Sequence, residues 1–268
     1  MSRADSFPPP SNRLADAPSY AEDAPPPDSL AAIRRLTRRE DLTVVFQPIV
    51  DLQTGKLFAH EALVRCNHPN RRRSPPELFD EAVELGCVGR LGRLIREIAV
   101  PLCSGLPVFL NVHPDELSER WLVRPDDPIF AHDSAVYVEV TESVPLSHFD
   151  LCLSVLRELR ARGGVHLVVD DLGAGYSNLK SIADLEPKVV KLDRELVTGV
   201  DRKPRQRRLV ASVVRLCEDL DATVVAEGIE TPGEYGALRD TGAQLGQGYL
   251  FARPAYPMPA ITWPPPVA

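Results

Sequence analysis

Two aspartates stand side by side, Asp170 and Asp171, in the stretch VHLVVDDLGAGYSN, where a short apolar run gives way to a glycine-punctuated turn. Adjacent carboxylates repel one another unless a cation or a proton relieves them, so the pair asks for a counter-charge. The same pattern, an apolar run that closes on a polar side chain, recurs along the chain. Gln47, Glu61 with Arg65, Asn111, Glu139, Lys191, Glu227 and Gln247 all occupy such positions. A lone acid there is ordinarily a helix cap or a solvated loop residue. Repeated in run after run, the pattern reads as one shared site.

If the run ends meet, Glu61, Glu139, Asp170, Asp171 and Asn111 gather hard oxygen donors that suit Mg²⁺ or Mn²⁺ rather than zinc or copper. Successive strand residues face opposite ways, so Asp171 joins the site only if the following glycine turn rotates it back. Asp170 then bridges two cations and Asp171 holds the second. Two metals beside a lysine and a further glutamate are equipped for attack of water on a phosphodiester. The cations lower the pKa of the water and neutralise developing charge, Lys191 adds positive charge, and Glu227 orients or deprotonates the water.

The elements that must position these residues follow from patterning. Short β-branched runs at 42–48, 57–65, 107–112, 135–140, 165–170, 188–193, 222–228 and 244–251 read as strands. Between them, Phe149, Cys152, Leu156 and Leu159, and again Leu209, Val213, Cys217 and Leu220, recur at helical spacing. One helix start is explicit in TPGE, with Thr231 as N-cap, Pro232 in the first turn and Glu234 closing a capping box. This alternation predicts an α/β fold of the (β/α)8 TIM-barrel type rather than an open doubly wound sheet. In such a barrel the functional groups come from the C-terminal ends of several strands, which is where the polar residues lie.

Composition is consistent with one large domain. The chain has 268 residues, of which 44% are hydrophobic, and a formal net charge of −7 that argues against a surface built to hold a nucleic-acid polymer or acidic lipid. Residues 1–28, rich in Pro, Ser, Ala and Asp, are expected to form a disordered leader. Residues 29–258 form the domain, and 259–268, ending in WPPPVA, an irregular tail. No apolar run approaches the roughly 18 residues of a membrane span. The scattered Cys66, Cys87, Cys103, Cys152 and Cys217 lack zinc-ligand spacing and read as reduced, mostly core thiols of a cytoplasmic protein. GAGYSN lacks the third glycine of a dinucleotide fingerprint, with Asn178 in its place, and the acids before it would repel a pyrophosphate. SNLK lacks the partner motifs of the penicillin-binding enzymes.

FQPIVDL, EALVR, LNVHP, VEVTE, DDLGAGYSNL, VVKLD, AEGIE and QGYLFARP, in this order over about residues 40–256, resemble the EAL domain family. The resemblance implies a barrel whose first strand runs antiparallel to the others and a phosphodiesterase that opens cyclic di-GMP to linear pGpG with two Mg²⁺ or Mn²⁺ ions. It implies that Glu61, Asn111, Glu139 and Asp170 ligate one metal and Asp170 with Asp171 the other. Glu227 would be the general base, Lys191 would support the nucleophile, and Gln247 would complete the inner shell. Arg65 would contact phosphate and Gln47 a guanine, and Glu142 would anchor the loop 171–178. A homodimer is also implied, through the helix after the basic run DRKPRQRR at 201–208. Ca²⁺ is expected to inhibit, since its looser coordination activates water poorly. Cys66 stands where the family carries an aromatic residue and Leu172 where it carries Phe; neither change removes a ligand. The alternative, a catalytically silent receptor for cyclic di-GMP or a protein, is disfavoured because Glu61, Glu142, Asp170 and Asp171 are all present.

Overall fold

A computed structural model describes residues 27–67, 73–118, 121–141, 149–173 and 179–263. Residues 1–26 of the expected 1–28 leader lie outside the described residues, and helix α1 (Pro27–Leu36) takes in its last two positions. Strands β1 (Leu42–Asp51), β2 (Leu57–Cys66), β3 (Val108–Asn111), β4 (Val136–Thr141), β5 (Val165–Leu172), β6 (Val189–Leu192), β7 (Thr223–Ala226) and β8 (Leu245–Gly246) close into one barrel in chain order. As the resemblance implies, β1 is antiparallel to both its neighbours, and the remaining adjacent pairs are parallel.

Helices α2 (Pro75–Glu84), α3 (Val88–Leu102), α4 (Pro114–Ser118), α5 (Phe149–Ala161), α6 (Leu179–Leu185), α7 (Arg194–Val197), α8 (Pro204–Asp219) and α9 (Pro232–Asp240) fill the connections. The start of α9 is the capping box read from the sequence: the Thr231 hydroxyl accepts from Glu234 N, and Glu234 accepts from Thr231 N. Among the described residues no helix is long and apolar enough to cross a membrane. Cys66, Cys87, Cys103 and Cys217 are free and buried, whereas the side chain of Cys152 lies outside the description.

The barrel interior is stacked in two layers, as the two-residue strand period requires. The lower layer is apolar and takes one residue from each strand: Ile49, Ala59, Phe109, Tyr137, Val168, Val189, Val225 and Leu245. Two residues further along the parallel strands come Glu61, Asn111, Glu139, Asp170, Lys191, Glu227 and Gln247, and in the reversed β1 Gln47 precedes Ile49 by two. Phe109 and Tyr137 stack with ring centroids 4.3 Å apart and close the barrel beneath the polar layer.

Two details depart from the sequence expectation. The run 244–251 pairs as a strand only at Leu245–Gly246. Gly248 rests directly on the Ile229 backbone, where a Cβ would collide, and Ile229 N and O bond Gln247 O and Leu250 N at 3.0 Å, so the chain turns away from the ladder. In α8 Cys217 is buried as expected and Val213 and Leu220 pack partly buried against the core, but Val210 and Val214 are the other fully buried residues and Leu209 is 52% exposed.

Replacing Phe109, which is fully buried, by alanine is expected to cost about 3–5 kcal/mol of stability, measured by urea denaturation. A loss below about 1 kcal/mol would contradict a close-packed floor.

Candidate active site

The polar layer converges on one ammonium group. Lys191 Nζ, buried in the barrel mouth, lies 2.6 Å from Glu139 Oε1, 2.6 Å from Glu227 Oε1, 3.3 Å from Asp170 Oδ1 and 3.5 Å from Glu61 Oε1. Glu61 is further held by amides: Asn111 Nδ2 donates to Oε1 at 3.2 Å, and Gln247 Nε2 donates to Oε2 at 2.5 Å. Gln247 Nε2 also donates to Gln47 Oε1 at 3.0 Å, and Gln47 is the cross-strand partner of Glu61. Residues 200 positions apart thus form one chain of hydrogen bonds.

Strand alternation would send Asp171 away from the mouth. Asp171 instead adopts φ +59°, a left-handed conformation that aspartate tolerates better than most side chains, and the β5–β6 register breaks between Val169 and Leu172. Carboxylate oxygens of Asp170, Asp171 and Glu227 consequently lie within 4.8 Å of one another. The expected rotation of the second aspartate is present, and the backbone change is made at Asp171 itself before Gly173.

Electrostatics show the cost of this gathering. Burial alone would depress the lysine pKa, but Asp170, Glu139, Glu227 and Glu61 outweigh it and hold Lys191 well above the usual lysine range. Burial pushes Glu139 well above the carboxylate range, and the neighbouring Glu61 and Asp170 reinforce it against the pull of Lys191. Glu227 is pushed up to about 8 by burial, against the pull of Lys191 and with Asp170 and Glu61 adding. Burial raises Asp171 as well, with Asp170 next and Asp193 contributing. In Glu61 burial is outweighed by Lys191 and by the bonds from Gln247, Asn111 and Lys191, so its pKa falls.

Five carboxylates (Glu61, Glu139, Asp170, Asp171, Glu227) thus face one ammonium, a formal charge of −5 + 1 = −4 when all are ionised. Glu139 makes the deficit specific. Its side chain is buried, and among the described residues its oxygens meet no donor except the shared Lys191 ammonium, 2.6 Å from Oε1. Buried carboxylate oxygens short of donors are costly, and hard cations are the partners they suit. The donor set therefore fits divalent oxygen-seeking metals.

The loop after Asn111 is braced from behind. Buried Glu116 accepts the His113 backbone N–H at 3.1 Å and the Arg96 guanidinium at 2.8 Å, and Arg96 also grips buried Asp127 at 2.9 Å. Two expected site residues are not brought to the acids. Arg65 shares the inward face of β2 with Glu61 but lies four residues further along, and its guanidinium donates to Val64 O at 2.8 Å. Glu142 lies outside the described residues, as does most of the loop it is expected to anchor. One residue escaped the sequence reading: Asp193 caps α7 through Glu195 N and adds to the charge around Asp171. Its place two positions beyond Lys191, just past the end of β6, was the available signal.

A profile of the EAL domain matches residues 30–254. The cyclic di-GMP phosphodiesterase RocR of Pseudomonas aeruginosa is 33% identical over 254 residues, covering 90% of this chain and 64% of RocR. The cyclic di-GMP phosphodiesterase PdeR of Escherichia coli is 31% identical over 244 residues, covering 86% of this chain and 36% of PdeR. The chain therefore spans less than two thirds of either relative. Among solved structures, the calcium and cyclic di-GMP complex of Klebsiella pneumoniae BlrP1 superposes with a TM-score of 0.70 at 34% identity, covering 80% of this chain and 56% of that one. The EAL enzyme Bd1971, bound to cAMP and cyclic di-GMP, gives a TM-score of 0.73 at 25% identity over 85% of this chain and 67% of its own.

Replacing Lys191 by methionine is expected to lower the melting temperature in EDTA, because it leaves the acids without their internal counter-ion, at a cost of about 3–5 kcal/mol. Added Mn²⁺ should raise the melting temperature of the variant more than that of the parent. A variant that melts like the parent in EDTA would show that the ammonium does not balance the acids.

Proposed function

Since the chain belongs to the EAL domain family, we propose that it hydrolyses cyclic di-GMP to linear pGpG with the help of two Mg²⁺ or Mn²⁺ ions and so lowers the level of this second messenger. The observation that carries the reading is the buried Glu139, whose carboxylate has the shared Lys191 ammonium as its one partner among the described residues, beside the Asp170–Asp171–Glu227 cluster. In this reading Glu61, Asn111, Glu139 and Asp170 hold one cation, and Asp170 and Asp171 hold the other. When bound, the cations polarise the phosphate and lower the pKa of the attacking water.

The chain's own groups do the rest. Glu227, at the open side of the cluster, takes the proton of the water whose oxygen forms the new bond to phosphorus. The P–O3′ bond breaks, the 3′ oxygen takes up a proton, and the phosphate remains on the 5′ carbon, as pGpG requires. Lys191 keeps a positive charge within reach of Glu227 and offsets the charge that develops on the phosphoryl oxygens. Gln247 fixes the Glu61 carboxylate and links it to Gln47, which together with Arg65 meets the substrate at the mouth. Glu142 anchors the loop that follows Asp171. Ca²⁺ occupies the same oxygen donors without supporting turnover. The buried free cysteines support a cytoplasmic setting, and the exposed Leu209 on α8 supports a homodimer.

The test is a product assay by chromatography with purified protein, cyclic di-GMP and Mn²⁺. The parent should release pGpG, and Glu61→Ala should abolish turnover because it removes a ligand that Asn111, Gln247 and Lys191 all orient. Binding of cyclic di-GMP with no pGpG would favour the silent-receptor reading, and full activity in Glu61→Ala would remove the metal assignment.

A further inference from the structure

Asn111 closes β3, and the chain beyond it is fixed from a place remote from the acids. The Asn111 side-chain nitrogen donates to Glu61 Oε1 at 3.2 Å, so its carbonyl oxygen is the atom left for a cation. The ladder gives out one residue later, where Val112 N donates to Glu139 O at 2.9 Å. Past that point the His113 ring stacks on Phe79 of α2, with centroids 5.9 Å apart. The backbone itself is tied to Glu116: Oε1 accepts the His113 N–H at 3.1 Å, and the Glu116 N–H donates to His113 O at 2.9 Å.

Glu116 is held in turn from α3, in the connection between β2 and β3. Arg96 Nη1 donates to Glu116 Oε2 at 2.8 Å, and Arg96 Nε and Nη2 donate to Asp127 at 3.1 and 2.9 Å. Asp127 also accepts Ile129 N at 3.2 Å, in the segment that leads to β4. All three charged side chains are buried. One turn before Arg96 on the same helix stands Gly92, where any Cβ would collide with the Glu116 carboxylate. A glycine inside a helix is unfavourable relative to alanine, so its presence here goes with the room the carboxylate needs. Burying an ion triad adds little stability over apolar packing; what it supplies is one geometry for the groups it binds.

We propose that Glu116, seated by Arg96 and by the space at Gly92, is a positioning residue that aims Asn111 at its cation, so that α3 sets the affinity of the barrel mouth for metal. This rests on the two-cation reading and names residues that reading does not use. Mn²⁺ binding followed by calorimetry, without substrate, tests it. Glu116→Ala leaves Arg96 paired with Asp127 and removes the acceptor of the His113 N–H, and it should weaken Mn²⁺ binding about tenfold. Gly92→Ala keeps all three charges and suits a helix better, yet it should weaken binding in the same direction by displacing the Glu116 carboxylate, and it decides the matter if Glu116→Ala does not fold. Asp127→Asn disturbs the far side of the same triad, so it should lower the melting temperature and leave the Mn²⁺ affinity at the parent's value. Asn111→Ala should bind Mn²⁺ as weakly alone as in combination with Glu116→Ala, because Glu116 acts only through Asn111. In the product assay the Mn²⁺ concentration for half-maximal pGpG release should rise with the loss of affinity, while the rate at saturating Mn²⁺ returns to the parent's. If the parent binds Mn²⁺ and Gly92→Ala binds it equally well, if Asp127→Asn weakens it as much as Glu116→Ala, or if the losses add in the double variant, the positioning role is overturned while the two-cation reading stands. If the parent itself binds no Mn²⁺, both fall together.

Discussion

One ammonium group among five carboxylates is the constraint on which the rest of this structure depends. Lys191 is sealed into the barrel mouth above an apolar floor, and Glu61, Glu139, Asp170 and Glu227 all approach it. In so poorly hydrated a place each uncompensated charge is expensive, and one cation cannot neutralise so many acids. Burial raises the pKa of Glu139, Asp171 and Glu227, so protons and divalent cations compete for the same oxygens. In the proposed phosphodiesterase such a deficit has a use, because divalent metals bound here would supply the positive charge that a phosphate substrate requires.

The geometry follows from a simple regularity. A polar residue lies two positions beyond an interior apolar residue on each parallel strand, from Ala59 and Glu61 through Leu245 and Gln247. The period of two makes this layer legible before any coordinates, and so all eight polar run ends and the barrel itself could be read from the chain. The antiparallel β1 was legible only by resemblance, because β-branched patterning carries no direction. Gln47 nevertheless reaches the layer, since β1 pairs Gln47 with Glu61 across the hairpin.

What patterning could not show were choices made by tertiary contact. The shortening of β8 depends on Gly248 meeting a residue of another connection, Ile229. In α8 Leu209 and Val210 are equally apolar, and only packing against the barrel decides that Val210 is buried. Asp171 faces the mouth because of a left-handed backbone angle at a non-glycine residue, a strained choice held by the register break in β5. Asp193 caps α7 and also adds to the charge around Asp171, a double use that spacing alone does not show.

The central claim is that this charge deficit is a two-cation site, and anomalous diffraction from crystals soaked in Mn²⁺ tests it most directly. Two peaks are expected, one among Glu61, Asn111, Glu139 and Asp170 and the other against Asp170 and Asp171. A mouth without Mn²⁺ peaks after the soak, with Lys191 still 2.6 Å from Glu139 and Glu227, would contradict it.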